Sequence, residues 1–197
     1  MKRKELFYDG KGFNKNYNQI VAYADFFDNV LSENNNVLLV GTGYYDDQYY
    51  DWCNALLRVE PTIKISYLEV SDVYINKWKN GQYPIIKGDV RKIDEVIVND
   101  EFDVICWIQG PEHIKQEEMA NTFEKIFNVA KKAVIFSCPW GSYYDFQEEL
   151  HGNIYEKHLN KSMGEHCFTS KEFDSYNIQY YDGKDTGNGC IMITKIK

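Results

Sequence analysis

The sequence has no Cys-x-x-Cys pair, and its five cysteines, Cys53, Cys106, Cys138, Cys167 and Cys190, are scattered and odd in number. Neither a disulfide framework nor a structural zinc site is indicated, so the thiols read as the reduced ones of a cytosolic protein. Basic residues are in deficit, with Lys+Arg 22 against Asp+Glu 30 and a net charge of -8. A chain of that sign repels phosphate backbones, which argues against a general nucleic-acid or anionic-membrane partner. No apolar run approaches the roughly 20 residues of a membrane span. The start, Met1-Lys2-Arg3-Lys4-Glu5, has positive charge but no apolar core behind it, so no secretory leader is expected. The expectation is a cytoplasmic protein with no membrane partner. Internal repeats and low-complexity tracts are missing as well.

What is there fits one domain of ordinary size, since 197 residues can bury a core without staples. The apolar share is 44%, and an aromatic share of 16%, with Tyr 16, is enough to line a pocket or fill a core. The chain is organised around Asn36-Val37-Leu38-Leu39-Val40-Gly41-Thr42-Gly43, an apolar run that stops at two glycines. Such a run reads as a strand buried on both faces. Gly41 and Gly43 remove side chains where a backbone passes close to a ligand. Asp46 to Val59 then reads as a helix, with Tyr50, Cys53, Leu56 and Leu57 on one face.

The same reading extends along the chain. A polar arm over residues 1–16 precedes a helical stripe from Asn18 to Leu31. Strands are expected at Ile63 to Val70, Pro84 to Lys87, Phe102 to Ile108 and Ala133 to Ser137. Helices are expected at Ser71 to Lys79, Lys92 to Val98 and Glu117 to Lys131. This alternation requires a parallel sheet with helices on both faces. Residues 142–168 are polar, aromatic and carry three of the four histidines, which suggests an insertion over the strand ends. Ser170-Lys171-Glu172-Phe173 opens a short helix, and Asn177 to Tyr181 with Gly189 to Lys195 reads as a hairpin.

Acidic residues mark three strand ends: Glu69, Asp89, and Asp103 at the start of the fourth strand. In a doubly wound sheet the first two face the crevice shared with Gly41 and Gly43. Glu69 suits two ribose hydroxyls, against the alternatives of a helix cap or a surface charge. Asp89 suits an adenine amino group and Val90 a backbone amide to the ring, with a plain turn aspartate the other reading.

Taken together these stretches resemble the class I S-adenosylmethionine-dependent methyltransferases, in register over residues 36–197. Val37-Leu38-Leu39-Val40-Gly41-Thr42-Gly43 resembles the family's glycine motif, Leu68-Glu69-Val70-Ser71 its ribose-binding strand end, and Gly88-Asp89-Val90 its adenine-contacting turn. The stretch from Phe102 through Trp107, Gln109 and Gly110 to Glu112-His113-Ile114 resembles the fourth-strand motif, and Ala133 to Gly141 the fifth strand. Gly152 to Leu159, leading into Phe168 to Phe173, is similar to a segment of some bacterial members. The resemblance implies a Rossmann-like, doubly wound, mostly parallel seven-stranded sheet with a C-terminal antiparallel hairpin and helices on both faces. It divides one methyltransferase domain into an arm and helix (1–35), a cofactor core (36–141), a lid or acceptor-side insertion (142–169) and a closing helix and hairpin (170–197). It implies S-adenosylmethionine as cofactor, held by Gly41, Thr42, Gly43, Glu69, Val70, Asp89, Val90, Trp107 and Gln109. Leu39 stands where the family often has an acid, and Tyr45 where it often has a third glycine.

The cofactor brings the methyl chemistry, so the protein supplies alignment and a proton acceptor. His158 is the first candidate base and His113 the second. The alternatives are a surface histidine packed by Tyr155 and a helix-capping histidine. Trp107 either lines the crevice or belongs to the core, and Trp140, Tyr143 and Tyr144 either wall the acceptor site or cover the sheet end. The expected reaction is methyl transfer to a small or medium-sized molecule, with no metal, and with oligomeric state open, a homodimer included. Two other readings stand: a scaffold on a degenerate methyltransferase fold, prompted by Leu39 and Tyr45, and an NAD-dependent oxidoreductase, since an acidic second-strand end serves that cofactor too.

Overall fold

The computed structural model describes residues 27–43, 46–108, 110–111, 114, 116–139, 176–181 and 188–195, and of 46–51, 116–117, 119–120, 137–139, 176–181 and 188–195 only the backbone. Five strands form a parallel sheet: β1 (Asn36–Val40), β2 (Lys64–Glu69), β3 (Ile85–Lys87), β4 (Phe102–Ile108) and β5 (Ala130–Pro139). Their order is β3-β2-β1-β4-β5. Between them lie α1 (Asp46–Val59), α2 (Asp72–Trp78), a 3-10 turn (Val90–Lys92) continued by α3 (Ile93–Val96), and α4 (Gln116–Val129). The backbone of two further segments, Tyr176–Tyr181 and Asn188–Lys195, runs antiparallel beyond β5. No helix among the described residues is long and apolar enough to cross a membrane.

Alternation along each central strand feeds two separate cores. On one face Val37, Leu39, Val104, Cys106, Ala133 and Ile135 pack with Trp52, Leu56 and Val59 of α1 and with Phe27, Val30 and Leu31. On the other, Leu38, Val40, Ile105, Trp107, Val134 and Phe136 pack with Phe123, Ile126 and Phe127 of α4. Each fully buried side chain of this size contributes about 1.5–3 kcal/mol relative to exposure, which is why four-residue apolar runs suffice to define central strands. Phe123 meets Phe136 edge-on with ring centroids 4.4 Å apart.

The sequence order leaves β3 at one edge and resumes at β4 beside β1. The sheet therefore changes direction between β1 and β4, where Val40 is level with Trp107 and, on its other side, with Leu68. A crevice opens at such a point. Several boundaries differ from the sequence expectation for local reasons. The helix expected over 92–98 is a 3-10 turn and a single α turn, because the Asp89 side chain accepts the Arg91 N–H and starts the coil early. The helix expected to reach Lys131 ends at Val129, because Ala130 already pairs with Phe102 of β4. The expected N-terminal helix is seen over residues 27–30, and its earlier part lies outside the described residues.

Candidate functional site

The site begins where β1 runs out of side chains. Gly41 and Gly43 take φ of 86° and 69°, a left-handed backbone that costs an L-residue about 1–2 kcal/mol. A Cβ built on Gly41 would meet nothing within 4 Å, so conformation, not space, calls for glycine there, and the backbone is open to approach.

Thr42 between them points inward and is 1% exposed. Its N–H donates to Glu69 Oε2 at 2.8 Å and its Oγ1–H to the same oxygen at 3.0 Å. The other oxygen, Oε1, accepts the Ser71 N–H at 2.7 Å. Glu69, 5% exposed, thus ties the glycine loop to the end of β2 and the start of α2. The Gly41 N–H is also used, by the Leu68 carbonyl at 2.8 Å. On the far side of the loop the Trp78 indole N–H donates to the Gly43 carbonyl at 3.1 Å, and Lys77 Nζ lies 4.7 Å above the Trp78 ring.

These bonds limit what the loop can hold. A carboxylate has about four lone-pair sites, and three described donors occupy the Glu69 oxygens, leaving room for roughly one more. Two of the loop amides, those of Gly41 and Thr42, are already given to Leu68 and Glu69, and a carboxylate sits beside them. A phosphate at these two amides meets a carboxylate and no free donor, whereas a hydroxyl or a cation meets an acceptor. The residues fit an uncharged or cationic nucleoside better than a phosphorylated one.

One strand further out, Asp89 is held by Arg91. Its Oδ1 accepts the Arg91 backbone N–H at 2.9 Å, Nε lies 3.0 Å from each oxygen, and Nη2 is 2.6 Å from Oδ2. Arg91 Nη1 also reaches Glu118 of α4 at 3.2 Å. Burial raises the Asp89 carboxyl, but the hydrogen bonds and charge of Arg91 more than reverse this, so it sits below the usual carboxylate range. Donation of its hydrogen bonds to Asp89 in turn lifts Arg91 above its ordinary value.

Beneath the loop lies a cavity of about 20 Å³, lined by Leu39, Val40, Gly41, Trp52, Tyr67, Cys106 and Ile108, room for about one water. Its wall carries no charge. Burial pushes the Cys106 thiol up, and the neighbouring Cys53 thiol, 3.0 Å from the Tyr67 hydroxyl, is pushed up to about 12 by burial despite that contact. Both are neutral packing groups, not nucleophiles.

Of the sequence candidates, the structure gathers Gly41, Thr42, Gly43 and Glu69 into one hydrogen-bonded unit. Val70 follows it, 49% exposed, and Val90 is half-buried in the 3-10 turn beside Asp89. The Trp107 side chain is 3% exposed and packs 5.8 Å from Phe123 and 6.3 Å from Phe136, so its indole is in the core and covered by Gly110. Asp103 lies at the opposite end of the sheet, accepting the Asn36 N–H at 2.9 Å. Gln109, His113 and His158 lie outside the described residues, as do Tyr45, Trp140, Tyr143 and Tyr144. Sequence reasoning missed Trp78 and Arg91. Arg91 had a signal, an arginine two positions after a turn aspartate, while Trp78 had none, since its partner is 35 positions away.

The fold is an α/β Rossmann-like one with a parallel sheet, and the glycine loop lies at its strand-order reversal. Many solved structures that share this fold are class I S-adenosylmethionine-dependent methyltransferases, at sequence identities of 8–17%. The methyltransferase in a Haloferax volcanii complex with the Trm112 methyltransferase activator has a TM-score of 0.64 and 11% identity, covering 100% of this chain and 98% of that one. The small RNA methyltransferase HEN1 has a TM-score of 0.60 and 11% identity, covering 91% of this chain and 25% of that one. A Rhodobacter sphaeroides protein described as a Zn-dependent alcohol dehydrogenase has a TM-score of 0.60 and 10% identity, covering 88% and 89%. At these identities the likeness is one of fold. No protein-family model matches the sequence, and no curated protein matches it.

Proposed function

We propose that this protein transfers a methyl group from S-adenosylmethionine to a small or medium-sized acceptor. The observation that carries the reading is the Thr42–Glu69 unit at the end of β1, where the chain seats its own carboxylate among the loop amides. With the Gly41 and Thr42 amides already engaged, that arrangement supports a cationic nucleoside over the pyrophosphate of a dinucleotide, and so the methyltransferase reading over the oxidoreductase one.

When bound, S-adenosylmethionine supplies an electrophilic methyl group on a sulfonium. Gly41 and Gly43 let the backbone approach it, and the remaining acceptor site of Glu69 takes a ribose hydroxyl. Asp89 and the Val90 amide address the adenine, with Val70, Gln109 and the backbone at Trp107 completing the wall. His158, or else His113, accepts the proton of a hydroxyl acceptor. Residues 142–169 cover the acceptor side within a single domain, and Tyr176–Tyr181 with Asn188–Lys195 closes a seven-stranded sheet as an antiparallel hairpin. The net charge of -8 favours a small acceptor over RNA, and the protein works in the cytoplasm.

Calorimetric titration tests the reading. S-adenosylhomocysteine and S-adenosylmethionine should bind with micromolar affinity and NAD should not. Binding of NAD alone would overturn it, and methylation of RNA in preference to small molecules would overturn the acceptor class.

A second reading has its own support. Both oxygens of Asp89 are held by Arg91, which competes with an adenine for them, and the wall under the loop at Leu39 is apolar, both of which fit a scaffold that has given up the cofactor. Absence of heat with any adenosyl ligand, in a folded sample, would favour it.

A further inference from the structure

We propose that Trp78 is a positioning residue that clamps the glycine loop in the conformation that receives the ligand, an inference that rests on the nucleoside reading above. The loop has one anchor on each side. On one, Glu69 holds the Thr42 N–H and hydroxyl. On the other, the Trp78 indole holds the Gly43 carbonyl at 3.1 Å. Besides the indole, the described approach to that carbonyl is the Thr42 hydroxyl at 3.3 Å, which belongs to the loop itself and also reaches Glu69, and Gly43 has no Cβ to restrain it at φ 69°. Glycine makes the conformation accessible and the indole makes it persistent.

Trp78 is itself fixed. It is the last residue of α2 and 7% exposed, it packs in the core with Tyr74, and Lys77 Nζ lies over its ring. Its N–H direction is therefore set by packing before any ligand arrives, which is what preorganisation requires. Ser71, whose N–H binds Glu69, is the N-cap of the same helix. Both anchors thus converge on one seven-residue helix, so α2 sets the loop from its two ends. A shift of α2 would move Glu69 and Gly43 together.

The test compares Trp78→Phe, which keeps an aromatic ring and deletes the donor, with Phe127→Leu, a truncation in the opposite core with a comparable loss of thermal stability. S-adenosylhomocysteine affinity is measured by calorimetry, and exchange of the Thr42 amide by NMR without ligand. One lost hydrogen bond of about 1 kcal/mol predicts affinity roughly fivefold weaker in Trp78→Phe, with Thr42 exchange faster by a similar factor. In Phe127→Leu the affinity should stay within about twofold of wild type, the scatter expected for a distant, independent site. Unchanged affinity and exchange in Trp78→Phe, or equal weakening in both variants, would overturn the clamp. If the wild-type protein binds no S-adenosylhomocysteine, the cofactor reading fails, while Thr42 exchange in Trp78→Phe still decides whether the indole holds the loop.

Discussion

The two ends of the parallel sheet each carry a buried carboxylate that accepts a backbone N–H, and they differ in what else touches it. At the opening end, Asp103 takes the Asn36 N–H at 2.9 Å and faces two ammonium groups, Lys132 at 3.3 Å and Lys131 at 3.6 Å. At the closing end, the described donors to Glu69 are neutral: the Thr42 and Ser71 amides and the Thr42 hydroxyl. The first carboxylate is balanced by charge and belongs to the scaffold. The second has only neutral described donors and lies beside an open glycine loop. The same chemical group is paired with ammonium groups at one end and with neutral donors at the other, and on the reading proposed above that difference is what suits the second to a ligand.

The largest effect should come from Glu69→Ala, which orphans two backbone amides. A stability loss of roughly 3 kcal/mol in chemical denaturation is expected, together with S-adenosylhomocysteine binding too weak to detect. Gly110→Ala comes next. The added methyl would collide with the Trp107 indole, which Phe123 and Phe136 back so that it cannot retreat. Overpacking of this kind costs about 1–3 kcal/mol, read as a lowered melting temperature.

Asp103→Asn then sharpens the contrast. Asparagine keeps an oxygen for the Asn36 N–H but loses the charge that faces Lys131 and Lys132, which should cost about 1–2 kcal/mol near neutral pH and leave ligand affinity unchanged. Burial raises the Asp103 carboxyl, but the Asn36 N–H and Lys132 more than offset this and hold it below its ordinary 3.8. A carboxyl depressed in the folded state stabilises above its unfolded value and loses that contribution as pH falls through the folded one. Wild type and Asp103→Asn should therefore differ by a constant margin above about pH 4–5 and converge below it, since unfolded aspartate titrates near 3.9. Smallest of all is Lys87→Ala. Its 2.6 Å ion pair with Asp72 joins side chains 63% and 71% exposed, so the change should stay within about 0.5 kcal/mol.

Much of this architecture could be read from the residues. The central strands were legible because Val37 to Val40 and Val104 to Trp107 are short apolar runs, the pattern of strands in a sheet covered on two sides. Gly41, Gly43 and Glu69 were legible because strand ends in such a sheet converge. What could not be read was where hydrogen bonds close across long separations. The seat of Glu69 against Thr42, the grip of Arg91 on Asp89 and the indole bond of Trp78 depend on side-chain directions that no periodicity encodes. Likewise the direct passage from Val129 into β5 follows from pairing with Phe102, a tertiary fact that overrode the continuing helical pattern.

The central claim is that the Thr42–Glu69 unit is a nucleoside seat, and one titration tests it most directly: S-adenosylhomocysteine against wild type, Glu69→Gln and Asp103→Asn in the calorimeter. Binding in the micromolar range for wild type and Asp103→Asn, weakened at least tenfold in Glu69→Gln, is the predicted result, since an amide at that position loses an acceptor. Equal binding by wild type and Glu69→Gln, or no binding by a folded wild-type protein, would contradict it.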